Sequence, residues 1–433
     1  MNFRKFLKLL LVFAIVGLQF SCSTQRKLVK ALQSDKVFSQ NHTGVMLYDI
    51  AEKKNVLEYN AERYFMPASN AKLVTFYIAL KTLPDSIPAL RYVVKNDSLI
   101  FCGTGDPAGL HPDLKNTKVY DFLKSRQEKL FYTEDSFTGS SFGEGWAWDD
   151  YNDYYSTEIS PLPLYSNIVR FSGKPDKNLL IEPGFFKDKT YSWSHGKDFE
   201  VKRDVGSNLF SFPNTPAKAG FVQDVPFKTS SDLTTALLKD TLRKEVSLIN
   251  YTLDNQAKTV YSLRADSLYK RMLHLSDNFI AEHLILLAAN AQGKALNSSE
   301  MITVLKKTLL SDLPDAPRWV DGSGLSRYNL FTPRDFVKIL EKIHEIVPEE
   351  RLYDLLPAAG VSGTLKNVGE NGGKPFIFAK SGSFSNNYNL SGFLITRSGK
   401  TFAFSMMNNN FMKSISEVRK EVIRFLTEVH EKY

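Results

Sequence analysis

Ser69-Asn70-Ala71-Lys72 sets a hydroxyl and an amine three residues apart, where Leu73, Phe76, Tyr77 and Leu80 begin to recur at helical spacing. Residues three apart on a helix share a face, so the Lys72 amine can reach the Ser69 hydroxyl. A serine hydroxyl attacks poorly until a base takes its proton, and a lysine of lowered pKa is such a base. Backbone N–H groups at a helix start can also hold a developing oxyanion. Spacing alone does not select Ser69, because Ser194/Lys197 and Ser267/Lys270 share it. Order does: Ser276-Asp277-Asn278 follows, and then Lys380-Ser381-Gly382, directly after the apolar Phe376-Ile377-Phe378-Ala379. Of these groups, the serine with a lysine in reach is the pair that could do acyl transfer through a serine ester.

Competing chemistries lack their residues. The histidines form no H-E-x-x-H pair and no tight His/Cys cluster, so zinc hydrolysis is unsupported. There is no Walker phosphate loop. Gly103-Thr104-Gly105 lacks the third glycine and the following helix of a dinucleotide site, and no G-x-S-x-G elbow occurs.

The elements that must position these groups are readable in outline. Gly44 to Ile50 reads as a strand, Asn55 to Tyr59 as its hairpin partner, and Asn70 to Thr82 as a helix closed by Pro84 and Pro88. Residues 90–261 are rich in Asp, Gly, Pro, Tyr and Trp, with short strand-like pieces such as Leu99 to Cys102 and Asn167 to Phe171 and an inner piece over 175–230. From 262 the helical period returns, with Leu268, Met272, Leu275, Phe279, Ile280, His283 and Leu284 on one stripe. Phe376 to Ala379, Tyr388 to Thr396 and Thr401 to Met407 read as strands, and Glu417 to Val429 as an amphipathic helix. The pattern predicts an α/β (α+β) fold whose core is split: 23–89 and 262–433 form the core, and 90–261 is a β-rich insertion.

Length and composition agree. At 433 residues, 43% hydrophobic and 24% charged, the chain is globular, and two or three domains are expected. The net charge of +8 falls to +5 without Arg4, Lys5 and Lys8. With no dense basic run interleaved with aromatics, nucleic acid is not an expected partner. Those three cations precede the apolar run Leu9 to Leu18, and Ser21-Cys22 follows, so residues 1–22 read as an export signal. Cys22 stands where a bacterial lipoprotein carries its lipidated cysteine, although Gln19 replaces the usual Leu-like residue. The alternative is a plain signal peptide with an incidental cysteine. The expected location is the periplasm, with a membrane tether through Cys22. Cys102, in the run Leu99 to Cys102, reads as a small buried apolar residue with no disulfide partner.

With the triplets in this order, the sequence resembles the low-molecular-mass (class C) penicillin-binding proteins of the D-alanyl-D-alanine carboxypeptidase/endopeptidase type. Gly103 to Pro107, Gly145-Trp146-Ala147-Trp148-Asp149-Asp150, Asp321 to Arg327 and Gly363-Thr364-Leu365 extend the resemblance. It implies a transpeptidase/β-lactamase-like core: an antiparallel sheet flanked by helices, with a helical subdomain. By the same resemblance Ser69 is the nucleophile, Lys72 its base, and Ser276 the proton relay to the leaving amine. Asn278 binds the substrate amide, Lys380 and Ser381 its carboxylate, and the backbone of Ser383 completes the oxyanion hole. Peptidoglycan stem peptides and β-lactam antibiotics are the implied partners, and no metal or organic cofactor is implied. Two positions depart from the pattern: Ser381 where Thr is commoner, and Lys366 where Arg often stands. The Trp146 to Asp150 cluster reads as an aromatic packing loop, or else as a rim that reads the stem peptide. Two other functions stay open: a serine β-lactamase, disfavoured by the long insertion, and an inactive peptidoglycan-binding protein.

Overall fold

A computed structural model describes residues 25–134, 136–175, 178–193, 198–254, 256–369 and 373–433. The export segment with Cys22, and Ser194 with Lys197, lie outside the described residues. The chain forms two compact units. The first takes the chain up to Leu73 with Leu313–Arg318 and Asn329–Tyr433; the second takes Val74–Asp312 and Trp319–Tyr328.

The first unit is built on a five-stranded sheet in the order Ile377–Phe384, Asn387–Ile395, Thr401–Asn409, His42–Asp49, Lys54–Tyr59. Every pairing in it is antiparallel. The three central strands are buried almost throughout, because helices cover both faces. That is why Thr401 to Met407 reads as a nearly continuous apolar run rather than an alternating one. On one face the helix Ile415–Lys432 buries Val418, Val422, Phe425, Leu426 and Val429 against Leu390, Phe404 and Met406. Each such side chain contributes roughly 1.5–3 kcal/mol. A reciprocal capping box between Ser414 and Glu417 starts this helix. The helix Pro333–Ile346 covers the other face and begins at a second capping box, Thr332 with Asp335.

The second unit holds a five-stranded sheet in the order Val246–Leu248, Lys129–Tyr132, Ser98–Gly103, Ser86–Lys95, Lys258–Arg264. Two three-stranded sheets accompany it. One is Val222–Pro226, Ile168–Gly173, Leu179–Glu182; the other is Thr190–Trp193, Phe210–Pro213, Lys202–Arg203. Cys102 is buried in the strand Ser98–Gly103. The helix Asn278–Ala291 is buried from Phe279 to Ala289, apolar nearly all round, and so lies inside its unit.

The single stripe expected from Leu268 to Leu284 is corrected. Two helices, Ala265–His274 and Asn278–Ala291, share it, and Leu275 between them is 59% exposed. The break is made by the Ser276 triplet. Ser276 takes φ +57°, and the Asp277 carboxylate accepts the Ile280 N–H as an N-cap.

Candidate active site

Ser69 sits in a tight turn, Ala68–Asn70, which runs into the helix Ala71–Thr82. Ala68 precedes it at φ +47°, a costly conformation for alanine that the surroundings must hold. They do so with polar side chains from the sheet. Asn409 Oδ1 accepts the Met66 N–H at 2.8 Å, and Asn389 Nδ2 donates to the Met66 carbonyl at 2.9 Å. Asn70 is fully buried and donates to Ser391 Oγ at 2.8 Å, which in turn shares a hydrogen bond with Ser405 Oγ at 2.9 Å. The turn is thus pinned to the two neighbouring strands before and after Ser69.

Lys72 is fully buried, and its Nζ donates to Ser69 Oγ at 3.1 Å. The helical spacing therefore delivers the amine to the hydroxyl, as the sequence led one to expect. Burial and the charge of Lys72 hold the Lys380 amine well below the usual lysine range. Of the two buried amines, Lys380 is thus the one that gives up its proton more readily.

Lys380 lies on Ile377–Phe384, the edge strand of the sheet. Its Nζ donates to the Ser381 carbonyl at 2.5 Å. Among the described residues the backbone of this strand's outer edge is paired at its start alone: Ala359 N–H donates to the Ile377 carbonyl and Ala379 N–H to the Pro357 carbonyl. In an antiparallel strand alternate residues point their N–H and C=O to the same side. Ser381 and Ser383 therefore direct theirs to that outer edge, where an extended peptide can add as a strand. The Ser381 hydroxyl shares a 2.9 Å hydrogen bond with Thr364 Oγ1.

Gly382 explains how the strand comes so close to the nucleophile. A Cβ there would lie 2.5 Å from the Pro67 carbonyl oxygen, 2.7 Å from Asn70 N and 2.8 Å from Ser69 N. These are backbone atoms that cannot swing away. Gly382→Ala is expected to push the strand off the Ser69 turn at a cost of about 1–3 kcal/mol. Fluorescent-penicillin labelling should slow at least tenfold while circular dichroism still reports a folded sheet.

The second unit carries Ser276 and Asn278. Asn278 Nδ2 donates to the Tyr155 carbonyl at 2.9 Å. One turn further along, the same helix presents Glu282, fully buried, whose carboxylate accepts Gly322 N–H at 3.1 Å and Ser323 N–H at 2.7 Å. The Asp321 carboxylate accepts Gly324 N–H, Ser326 N–H and Trp146 Nε1–H at 2.8, 2.6 and 3.0 Å. The Asp321 to Arg327 loop is thus a buried construction on two carboxylates. Trp146 is tied into it, whereas Trp148 is 80% exposed.

Burial first, and then the neighbouring Asp321 charge, push the Glu282 carboxyl up to about 7. The folded protein therefore holds a proton that the unfolded chain has released above its ordinary value of 4.5. Stability from this group is full at low pH, falls as pH rises from about 4.5 to 7, and then levels. Thermal melts should show Glu282→Gln flattening the loss of stability between about pH 5 and 7.5. An unchanged slope would remove Glu282 as its source.

The structure brings Ser69, Lys72, Lys380 and Ser381 together and turns the Ser383 backbone to the same open edge. Sequence reasoning missed Asn70, Asn389 and Asn409, which hold the turn, as well as Thr364 in its hydroxyl pair with Ser381 and Glu282 beneath the glycine loop. Thr364 carried a signal, lying in the Gly363-Thr364-Leu365 stretch already singled out.

Relatives of known kind match this chain over most of its length. The D-alanyl-D-alanine carboxypeptidase DacB of Haemophilus influenzae is 23% identical, with 92% of this chain and 91% of that protein covered. A D-alanyl-D-alanine carboxypeptidase from an Actinomadura species is 24% identical, covering 89% and 80%. The crystal structure of penicillin binding protein 4 from Haemophilus influenzae superposes with a TM-score of 0.74 at 22% identity, covering 93% of this chain and 98% of that one. The fold is therefore the α/β penicillin-binding type expected from the motifs. A family model matches residues 24–182 and 220–429 and passes over 183–219, where the small Thr190–Trp193, Phe210–Pro213, Lys202–Arg203 sheet lies. By that match the chain belongs to the D-Ala-D-Ala carboxypeptidase 3 (S13) family.

Proposed function

We propose that the chain is a serine DD-peptidase that hydrolyses D-alanyl bonds of peptidoglycan stem peptides, as carboxypeptidase, crosslink endopeptidase, or both. The observation that carries this reading is the buried Lys72 amine 3.1 Å from Ser69 Oγ, beside an open strand edge. Ser69 attacks the carbonyl of the penultimate D-alanine, and Lys72 takes its proton. The N–H groups of Ser69 and Ser383 receive the oxyanion, and such a donor is worth about 3–4 kcal/mol. Ser276 passes a proton to the departing amine and Asn278 binds the substrate amide. Lys380 and Ser381 hold the terminal carboxylate. Water then cleaves the acyl-serine ester. A β-lactam enters the same path and stops at the ester.

Residues 23–433 should release D-alanine from diacetyl-L-lysyl-D-alanyl-D-alanine, and prior treatment with benzylpenicillin should block it. Absence of release by folded protein, on this peptide and on a crosslinked muropeptide dimer, would overturn the reading. Rapid turnover of penicillin would favour a β-lactamase instead.

We also place the protein in the periplasm, tethered through a lipid on Cys22; the basic start, apolar run and Ser21-Cys22 junction support this. Radiolabelled palmitate should enter the wild type and not Cys22→Ser. Equal labelling of both would remove the tether.

A further inference from the structure

Ser276 is held at φ +57°, a conformation costly for serine, on a three-residue link between two helices. Strain of this kind survives only where the flanking residues fix it. Asp277 is one such residue. Its Oδ1 caps the following helix at Ile280 N–H (3.0 Å), and its Oδ2 accepts Arg271 Nε–H at 2.9 Å. Arg271 stands in the last turn of the preceding helix. The salt bridge therefore clamps the two helix ends across Ser276.

Arg271 is itself held from behind. Its Nη2 donates to Asp113 Oδ2 at 2.9 Å. Asp113 Oδ1 accepts Arg170 Nη1–H at 2.7 Å. Arg170 closes the chain by a two-pronged pair with Asp224, both contacts at 2.7 Å. Arg170 and Asp224 face each other on the adjacent strands Ile168–Gly173 and Val222–Pro226. Five charges of alternating sign thus run from a β-ribbon to the Ser276 triplet. Their side chains are 15% to 37% exposed, so the line is neither solvated nor dry. An isolated surface pair would contribute little. Here the planar guanidinium of Arg271 bonds two carboxylates at once, so the Asp113 contact fixes the plane in which Asp277 is held. The hydrogen bond from Arg170 keeps Asp113 low, at about 2, so this central carboxylate stays ionised near neutral pH.

We propose that Arg271, backed by Asp113 and Arg170, is a positioning residue for acylation, holding Ser276 and Asn278 in working orientation. The inference rests on the proposed roles of those two residues. A misplacement of about 1 Å in such a group can cost roughly 10²-fold in rate.

The test is stopped-flow acylation by a fluorescent penicillin, which separates the acylation rate constant from the preceding binding constant. Arg271→Met should lower the rate constant about 10²-fold with binding little changed, and Arg271→Lys should recover part of it. Asp113→Asn, a near-isosteric change at a partly exposed position, should lower it several-fold and decides the matter if Arg271→Met does not fold. Adding Arg271→Met to Ser276→Ala should cost less than it does in the wild type, because the part of the clamp that acts through Ser276 is already lost and only the part through Asn278 remains. Wild-type rate constants in Arg271→Met and Asp113→Asn, with Ser276→Ala slow, would overturn this inference alone. A wild-type rate in Ser276→Ala would overturn both the inference and the reading beneath it.

Discussion

Ser69→Ala is expected to take up no covalent penicillin and to lose D-alanine release by roughly 10⁴-fold or more. The substitution removes one oxygen from a half-buried position in a turn held elsewhere. Met66 keeps both its hydrogen bonds to the sheet, and Asn70 keeps its bond to Ser391. Thermal stability should therefore stay within about 0.5–1 kcal/mol of the parent. Residual activity would come from the oxyanion donors and the strand edge, which the mutation leaves in place. A folded Ser69→Ala protein that still binds penicillin covalently would place the nucleophile elsewhere.

Lys72→Ala is expected to slow acylation by about 10²–10⁴-fold, the usual yield of a positioned general base. Its effect on Lys380 separates a base from a spacer. The Lys72 charge is one of the two causes that hold the Lys380 amine low. Removing it should let Lys380 take up its proton more readily and so strengthen carboxylate binding as acylation fails. Lys72→Met, which keeps most of the volume, should behave alike in rate. If Lys72→Met acylates at the wild-type rate while Lys72→Ala does not, the amine is not the base and its contribution is packing alone.

The three triplets were legible because their chemistry depends on short spacings: one helical turn from Ser69 to Lys72, and one strand end at Lys380 to Gly382. The sheet was legible because its central strands are buried on both faces, which leaves apolar runs such as Phe402 to Met407. The break at Ser276 was hidden. Leu268, Met272, Phe279 and Leu284 keep helical phase across it, while the left-handed Ser276 backbone and the capping of Ile280 N–H by Asp277 interrupt the helix. The supports of the site were hidden for another reason. Asn389 and Asn409 lie on strands more than three hundred residues from the Met66 backbone they hold. Asp113, Arg170, Asp224 and the Arg271–Asp277 pair come from four separate stretches. No local pattern announces such partners; the topology of the sheets brings them together.

The central claim is that Ser69 forms the acyl bond. The most direct measurement is mass mapping of the benzylpenicillin adduct after tryptic digestion. Cleavage after Arg63 and Lys72 yields Tyr64–Lys72, in which Ser69 is the sole serine. The account predicts one penicilloyl group per chain, on that peptide and fragmenting at Ser69. An adduct on another peptide, such as one carrying Ser276, or no adduct on folded protein, would contradict it.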